Sequence, residues 1–294
     1  EKIIFSLSTS TELAKKIAKT SNIELGKSEV TKFSDGEIMA RCLSDVQGKI
    51  CYIVQSTIAP SAETIFEVLI FTDSLKNAGA KEIVLIAPYY GYSRQDRVAR
   101  PGEPITAKLV AKMLEISGIS RLISADLHTQ QIQGFFSIQV ANIETSSLFG
   151  KYFAKRFDEL KIDHKNVCVV SPDHGSANRG RDVSSELNGA TLAVVDKRRP
   201  APNKSEVINV VGDVKDKICL IVDDIVDTGG TINNAVEVLF EKGAKEVFVA
   251  ATHAIMSKYE LDSRIKEFVT TDSVEKKTKG AKVLSIAELI SAAL

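Results

Sequence analysis

The sequence predicts an α/β protein made of two copies of one domain. Short apolar runs alternate along the chain with amphipathic segments, which argues for a parallel sheet with helices on both faces. Two apolar runs recur in the same order in both halves. At 294 residues the chain is also long for one globular unit, and two domains of about 150 residues fit it better.

Each element follows from local pattern. "KIIFSL" reads as a strand, and "TELAKKIAKTS" as a helix with Thr9 to Thr11 near its cap. "KICYIVQ" (49–55) is strand-like, and residues 62–79 are helical and end on a glycine. "KEIVLIAP" (81–88) is a strand again. Residues 104–118 open on Pro and close on Gly, the polarity of a helix.

The repeat sharpens this reading. "GAKEIVLIA" at 79–87 returns as "GAKEVFVAA" at 243–251, and "KICYIV" at 49–54 returns as "KICLIV" at 217–222. Each pair brackets one helix, so the boundary between copies falls near 145–160. Position by position, one stretch breaks the symmetry. Where the second half has "DDIVDTGGT" after its strand, the first has "QSTIAPSAET". A loop required for folding should survive in both copies, so the acidic, glycine-bearing version is expected to carry chemistry.

Composition narrows the function classes. Lys plus Arg equals Asp plus Glu, 38 against 38, which gives no support for attraction to nucleic acid or to a membrane. Cys42, Cys51, Cys168 and Cys219 are widely spaced, without metal-ligand or redox spacing, and read as buried reduced thiols. No apolar stretch approaches the ~20 residues of a membrane span and no signal peptide is recognisable, so a cytoplasmic location is expected. The chain opens on Glu1 rather than methionine, which is consistent with a few missing leading residues.

In a parallel α/β sheet ligands bind beyond the carboxyl ends of strands, where a loop enters the next helix. Within "VDDIVDTGGT" (222–231), Gly229 and Gly230 let the backbone approach a ligand closely. Thr228, Thr231 and the freed N–H groups of the following helix can cradle a phosphate. Asp223 and Asp224 are acceptor groups suited to sugar hydroxyls. A solvated capping turn is the plainer reading, but two adjacent aspartates after a buried strand are costly without partners. The loop is therefore read as a site for a sugar phosphate.

These residues resemble the phosphoribosyl-diphosphate-binding fingerprint shared by phosphoribosyltransferases and ribose-phosphate diphosphokinases. "PYYGYSRQDR" (88–97), "DLHTQQIQGFF" (126–136), "SPDHGSANRGR" (171–181) and "DKRRPAPN" (196–203) select the second family. The resemblance covers nearly the whole chain. It implies two phosphoribosyltransferase-like domains, each a mainly parallel sheet flanked by helices. Residues 1–148 would carry the ATP-side motifs, and 149–294 the ribose 5-phosphate loop and a catalytic flap.

The resemblance further implies magnesium-dependent transfer of the diphosphoryl group of ATP to the anomeric hydroxyl of ribose 5-phosphate. The products would be 5-phosphoribosyl 1-diphosphate, for nucleotide biosynthesis, and AMP. Asp227, Thr228, Gly229, Gly230 and Thr231 would hold the 5-phosphate, and Asp223 and Asp224 the ribose hydroxyls. His128 and Asp173 match the family's magnesium contacts, with His128 also near ATP. By itself His128 would read as a hydrogen-bonded structural histidine. Between Asp126 and "TQQ" the balance reverses, because a phosphate-bound magnesium needs only one or two protein ligands. Lys197 and Arg199 are the implied catalytic cations, on a proline-broken segment expected to be mobile. ATP is expected to meet Phe33, Asp35, Glu37, Arg94 and Gln95. In this family Phe33 would come from a neighbouring subunit, so a homodimer is the smallest complete site and a hexamer the expected assembly.

Departures from the family pattern concern regulation. Regulated members place a serine and an arginine where this chain has Asp45 and Gln47, and often "Arg-Ala-Ser" where it has Asn77 to Gly79. Weak or absent control by phosphate and ADP is expected. The segment after "ATHAIMS" is also short for the family. The alternative is a catalytically inactive regulatory homologue, but such a protein should have lost His128, Asp173, Lys197 or Arg199, and all four are present.

Overall fold

The structure is a computed structural model that describes residues 1–198, 206–258 and 260–294. It divides into two compact units. The first comprises Glu1–Ile143, Asp272–Glu275 and Ser285–Leu294. The second comprises Glu144–Thr271 and Lys276–Leu284.

In the first unit the chain runs β1 (Lys2–Ser6), α1 (Thr11–Ser21), β2 (Glu24–Leu25), β3 (Ser28–Lys32), β4 (Ile38–Cys42) and β5 (Ile50–Val54). It continues through α2 (Ser61–Asn77), β6 (Glu82–Ile86), α3 (Thr106–Ser117), β7 (Arg121–Ala125) and β8 (Gln139–Ile143). The parallel sheet has the order β2-β1-β5-β6-β7-β8. Its central strands are buried on both faces, which is why they read as unbroken apolar runs rather than as alternating ones. Helix α1 buries Leu13, Ala14, Ile17 and Ala18, a stripe of helical period facing the sheet. Strands β3 and β4 form a separate antiparallel hairpin.

The second unit contains α4 (Ser146–Glu159), β9 (Val167–Ser171), α5 (Ala177–Ser184), β10 (Thr191–Arg198), β11 (Val207–Val211) and β12 (Ile218–Val226). It is completed by α6 (Gly230–Glu241), β13 (Glu246–Ala254), β14 (Ile265–Thr271) and β15 (Ala281–Leu284). The sheet order is β11-β10-β9-β12-β13-β14-β15, and β11 is its antiparallel edge. Phe149, Phe153 and Phe157, spaced four apart on α4, are fully buried, and Phe157 meets Phe248 of β13 edge-on at 5.2 Å.

The sequence repeat is a structural repeat. The order β1-β5-β6-β7 in one unit corresponds to β9-β12-β13-β14 in the other, with "KICYIV" in β5 and "KICLIV" in β12. One difference matters for the site: β12 runs four residues beyond its "ICLIV" core, through Val226, because its ladder with β13 continues to the Val226–Ala254 pair. Asp223 and Asp224 therefore stand on a strand, with its rigidity, rather than in the loop.

After β15 the chain returns to the first unit as α7 (Ala287–Ser291), which packs on α1. Asp272 fixes this return, since it accepts the Ile286 N–H at 2.9 Å and pairs with Lys16 at 3.1 Å. The four cysteines are free thiols, three of them buried and Cys42 partly so. Burial pushes the Cys51 and Cys219 thiols up to about 12. Among the described residues no helix is long and apolar enough to cross a membrane.

Candidate functional site

In the second unit the chain leaves β9 towards β10 on one side and reaches β12 on the other, so the sheet order reverses between β9 and β12. A crevice beyond the carboxyl ends of those strands is the expected ligand position. Three carboxylates gather there. Asp173 follows β9 and accepts the Ser176 N–H at 3.0 Å. Ser176, buried, turns its hydroxyl to Asp223 Oδ1 at 2.9 Å, and the Asp224 N–H donates to the same oxygen at 2.9 Å.

Asp223 and Asp224 are each 6% exposed. Burial is the main cause that pushes the Asp223 carboxyl well above its ordinary range. The neighbouring Asp224 charge and hydrogen bond, and then the Asp173 charge, push the same way, while the Ser176 hydroxyl opposes them. Such a wall stores unfavourable electrostatics, which hydroxyl donors or a cation would relieve.

The phosphate-type loop follows directly. Gly229 caps α6 with φ +85°, a conformation strained for other residues, and its carbonyl accepts the Asn233 N–H at 2.8 Å. Thr228, Gly230 and Thr231 are exposed, and the first N–H groups of α6 have no intrahelical acceptor. Asp227 Oδ1 accepts from Ser257 Oγ and from the Ser257 N–H at 3.4 Å. The loop thus offers backbone donors at a helix start, where the dipole favours an anion.

Lys197 lies in β10 opposite Ile208 of β11. Its neighbours on either side are tied together: Arg198 Nε donates to Asp196 Oδ2 at 2.7 Å, and His174 Nε2 lies 3.0 Å from Asp196 Oδ1. The His174 hydrogen bond, first, and Arg198 hold the Asp196 carboxyl below its ordinary range. Arg199 and most of the expected flap lie outside the described residues.

In the first unit two of the motifs meet. Asp96 is buried and accepts Thr129 Oγ1 at 2.6 Å and Gln131 Nε2 at 3.0 Å, so the loops after β6 and β7 are joined. Gln95 accepts Thr106 Oγ1 at 2.6 Å, while Arg94 and His128 are exposed on the same loops. Phe33, Asp35 and Glu37 form the tip of the β3–β4 hairpin. The Phe33 N–H donates to the Glu37 carbonyl at 2.8 Å, and the Phe33 side chain is 53% exposed. A phenylalanine held in the open by a tight turn is a poor core residue and a ready stacking surface.

Among the described residues no group of three or more His, Cys, Asp or Glu side chains forms a metal cage. Of the expected contacts, the Asp173 carboxylate, exposed just beyond β9, is a hard oxygen donor of the type magnesium takes. That ion commonly uses one or two carboxylates and completes its shell with water and substrate phosphates. Asp173 fits such an ion. Sequence reasoning missed Ser176, His174 and Asp196 as partners within this site, since nothing in their local pattern signals contacts 47 or 22 residues away.

Comparison with known proteins agrees with this architecture. Residues 2–118 match the N-terminal domain of ribose phosphate pyrophosphokinase, and residues 140–285 match the phosphoribosyl transferase domain. A ribose-phosphate pyrophosphokinase of Bacillus subtilis (strain 168) is 45% identical over 299 residues, which covers 99% of this chain and 92% of that protein. Ribose-phosphate pyrophosphokinase 1 of Listeria innocua is 46% identical over the same shares of the two chains. The crystal structure of phosphoribosylpyrophosphate synthetase from Mycobacterium smegmatis superposes with a TM-score of 0.90 at 36% identity, covering 100% of this chain and 97% of that one.

Proposed function

The chain belongs to the ribose-phosphate pyrophosphokinase family, and from that membership we propose how its own residues carry the reaction. It is an enzyme that makes 5-phosphoribosyl 1-diphosphate and AMP from ATP and ribose 5-phosphate. The ribose O1 attacks the β-phosphorus of ATP, the bond from that phosphorus to the α-phosphate oxygen breaks, and AMP leaves. The hydroxyl proton passes to solvent or to a phosphate oxygen. The acceptor is an alcohol that must be placed rather than strongly activated, so positioning and charge stabilisation dominate.

The observation that carries this assignment is the buried Asp223–Asp224 pair placed directly before an open phosphate-type loop. Asp227 to Thr231 take the 5-phosphate on backbone N–H groups and hydroxyls. Asp223 and Asp224 accept the ribose hydroxyls, which relieves the strain of two buried carboxylates. Lys197 and Arg199 stabilise the charge that develops on the moving diphosphoryl group and the leaving AMP. Arg94, Gln95 and His128 bind ATP, with Phe33, Asp35 and Glu37 supplied by a neighbouring subunit of a homo-oligomer. Asp173 and His128 would hold magnesium. When bound, that ion neutralises charge on the phosphates of ATP. A cytoplasmic location accords with this substrate pair.

One assay tests the reading. With ATP, magnesium and ribose 5-phosphate the protein should yield AMP, and only when the sugar phosphate is present. ADP as product, or no turnover, rejects it; the latter outcome would favour the inactive regulatory homologue.

A further inference from the structure

Glu260 and Leu261 lie against the phosphate-type loop, and one side chain of α6 ties this stretch through both of its polar atoms. Asn233 stands in the first turn of α6. Its Nδ2 donates to the Glu260 carbonyl at 2.7 Å, and its Oδ1 accepts the Asp262 N–H at 2.8 Å. These are the two backbone groups that a neighbouring β-strand would engage, so the carboxamide acts as a one-residue strand partner for Glu260–Asp262. Each group satisfies the other's polarity, and this fixes the orientation of the amide. The Asn233 backbone N–H meanwhile donates to Gly229 in the loop itself.

The consequence falls on Gly229. A Cβ built there would lie 3.2 Å from the Glu260 carbonyl oxygen and 3.4 Å from Leu261 Cδ2. The loop backbone is therefore packed between α6 and the tied segment, and its positive φ is held from both sides.

Two other ties are weaker candidates for this work. Arg264 reaches the Asp262 and Glu237 carboxylates and lies 4.8 Å over the Phe240 ring, but these ties are to partly exposed side chains, whereas Asn233 engages the backbone beside Gly229. Ser257 holds Asp227 at the far end of the loop. Asn233 joins helix, glycine and segment through one residue.

We propose that Asn233 is a positioning residue for ribose 5-phosphate, because its carboxamide pins Glu260–Asp262 against Gly229 and so presets the donors of the phosphate loop. This rests on the assignment of that loop to the sugar phosphate. Preset donors lower the ordering cost of binding, so the loss should fall on acceptor affinity and not on the transfer step.

The test compares Asn233→Ala with Arg264→Ala in the full chain, with melting temperature recorded for each. Asn233→Ala is expected to raise KM for ribose 5-phosphate about tenfold while KM for ATP and kcat stay within about threefold. Titration calorimetry with ribose 5-phosphate alone should show the same loss of affinity. Arg264→Ala is expected to leave KM for ribose 5-phosphate within about twofold even if it lowers the melting temperature. An unchanged acceptor KM in Asn233→Ala, or equal rises for both substrates, overturns the proposal. If that variant does not fold, hydrogen exchange on the unaltered protein decides. Ribose 5-phosphate should slow exchange at the Asp262 amide, and no slowing overturns the proposal. Failure of the unaltered protein to form AMP and 5-phosphoribosyl 1-diphosphate would instead reject the assignment of the site.

Discussion

Ser176, in the turn after β9, donates its hydroxyl to Asp223 of β12 at 2.9 Å, and this hydrogen bond eases the ionisation of that carboxyl. Burial and the Asp224 and Asp173 charges act the other way. Asp223 therefore takes up a proton more readily in the folded chain than in the unfolded one. The stability of the fold should fall as pH rises from 3.8 towards the raised value.

Asp223→Asn should remove that slope. An asparagine Oδ1 still accepts from Ser176 and from the Asp224 N–H, and its Nδ2 can donate to the Asp224 carboxylate. Denaturant unfolding at neutral pH without ligands should show a gain of about 1 kcal/mol, while ribose 5-phosphate binding weakens at least tenfold, about 1.4 kcal/mol. A variant that loses stability would mean that the carboxylate is better compensated than its burial implies.

Gly229→Ala should fail in two ways. The residue holds φ +85°, and a Cβ would meet the Glu260 carbonyl at 3.2 Å. The conformation alone costs about 1 kcal/mol for a residue with a side chain. The contact would in addition displace Glu260–Asp262 from Asn233. Acceptor KM should rise more than tenfold, and a normal KM would show that the loop tolerates a shift of its first glycine.

How far these features could be read in advance depends on the range of the interaction. The strands β5 and β12 were legible because burial on both faces leaves a continuous apolar run, and their near-identity exposed the duplication. Gly229 and the aspartates were legible because residue type and position relative to a strand end are local properties. Asn233 was not: an asparagine in a helix's first turn commonly faces water, and its partners lie 27 and 29 residues on. The return of α7 to the first unit depends likewise on Asp272 and Lys16, 256 residues apart. The extension of β12 through Val226 was hidden because two aspartates imitate a strand end, whereas the ladder to β13 keeps them in line.

Lys197→Ala should separate binding from chemistry. The lysine is in β10, one residue beyond the Asp196 that His174 and Arg198 engage, so its backbone is held by both the ladder to β11 and that cluster. Neither tie uses the Lys197 ammonium. Its loss should leave ribose 5-phosphate affinity within about twofold and lower kcat by about two to three orders of magnitude, the range for one removed charge stabiliser. Rates from steady-state assays and affinities from calorimetry check this, and an intact kcat removes Lys197 from the mechanism.

Phosphate should not activate this enzyme strongly. The turn before β5 and the glycine after α2 pack on each other, for the Gly48 N–H donates to the Gly79 carbonyl at 2.8 Å. Gln47 Oε1 stands where a Cβ on Gly79 would be, and Gly79 has φ +88°. The two departures from the regulated pattern are thus one packing solution, in which the glutamine fills the space that a side chain at position 79 would need. The nearby groups are ill suited to an anion. Asp45 accepts the Gln47 N–H at 3.1 Å, Asn77 donates to Asp73 at 3.2 Å, and Lys49 is shared between Glu1 and Glu24. A phosphate here would meet carboxylates and no unengaged cation among these side chains. Initial rates measured from zero to high phosphate should vary by less than about twofold at constant ionic strength, with ADP acting only as a competitor of ATP. A steep rise from near-zero activity would place an effector site elsewhere on the chain and reject this account of Gln47 and Gly79.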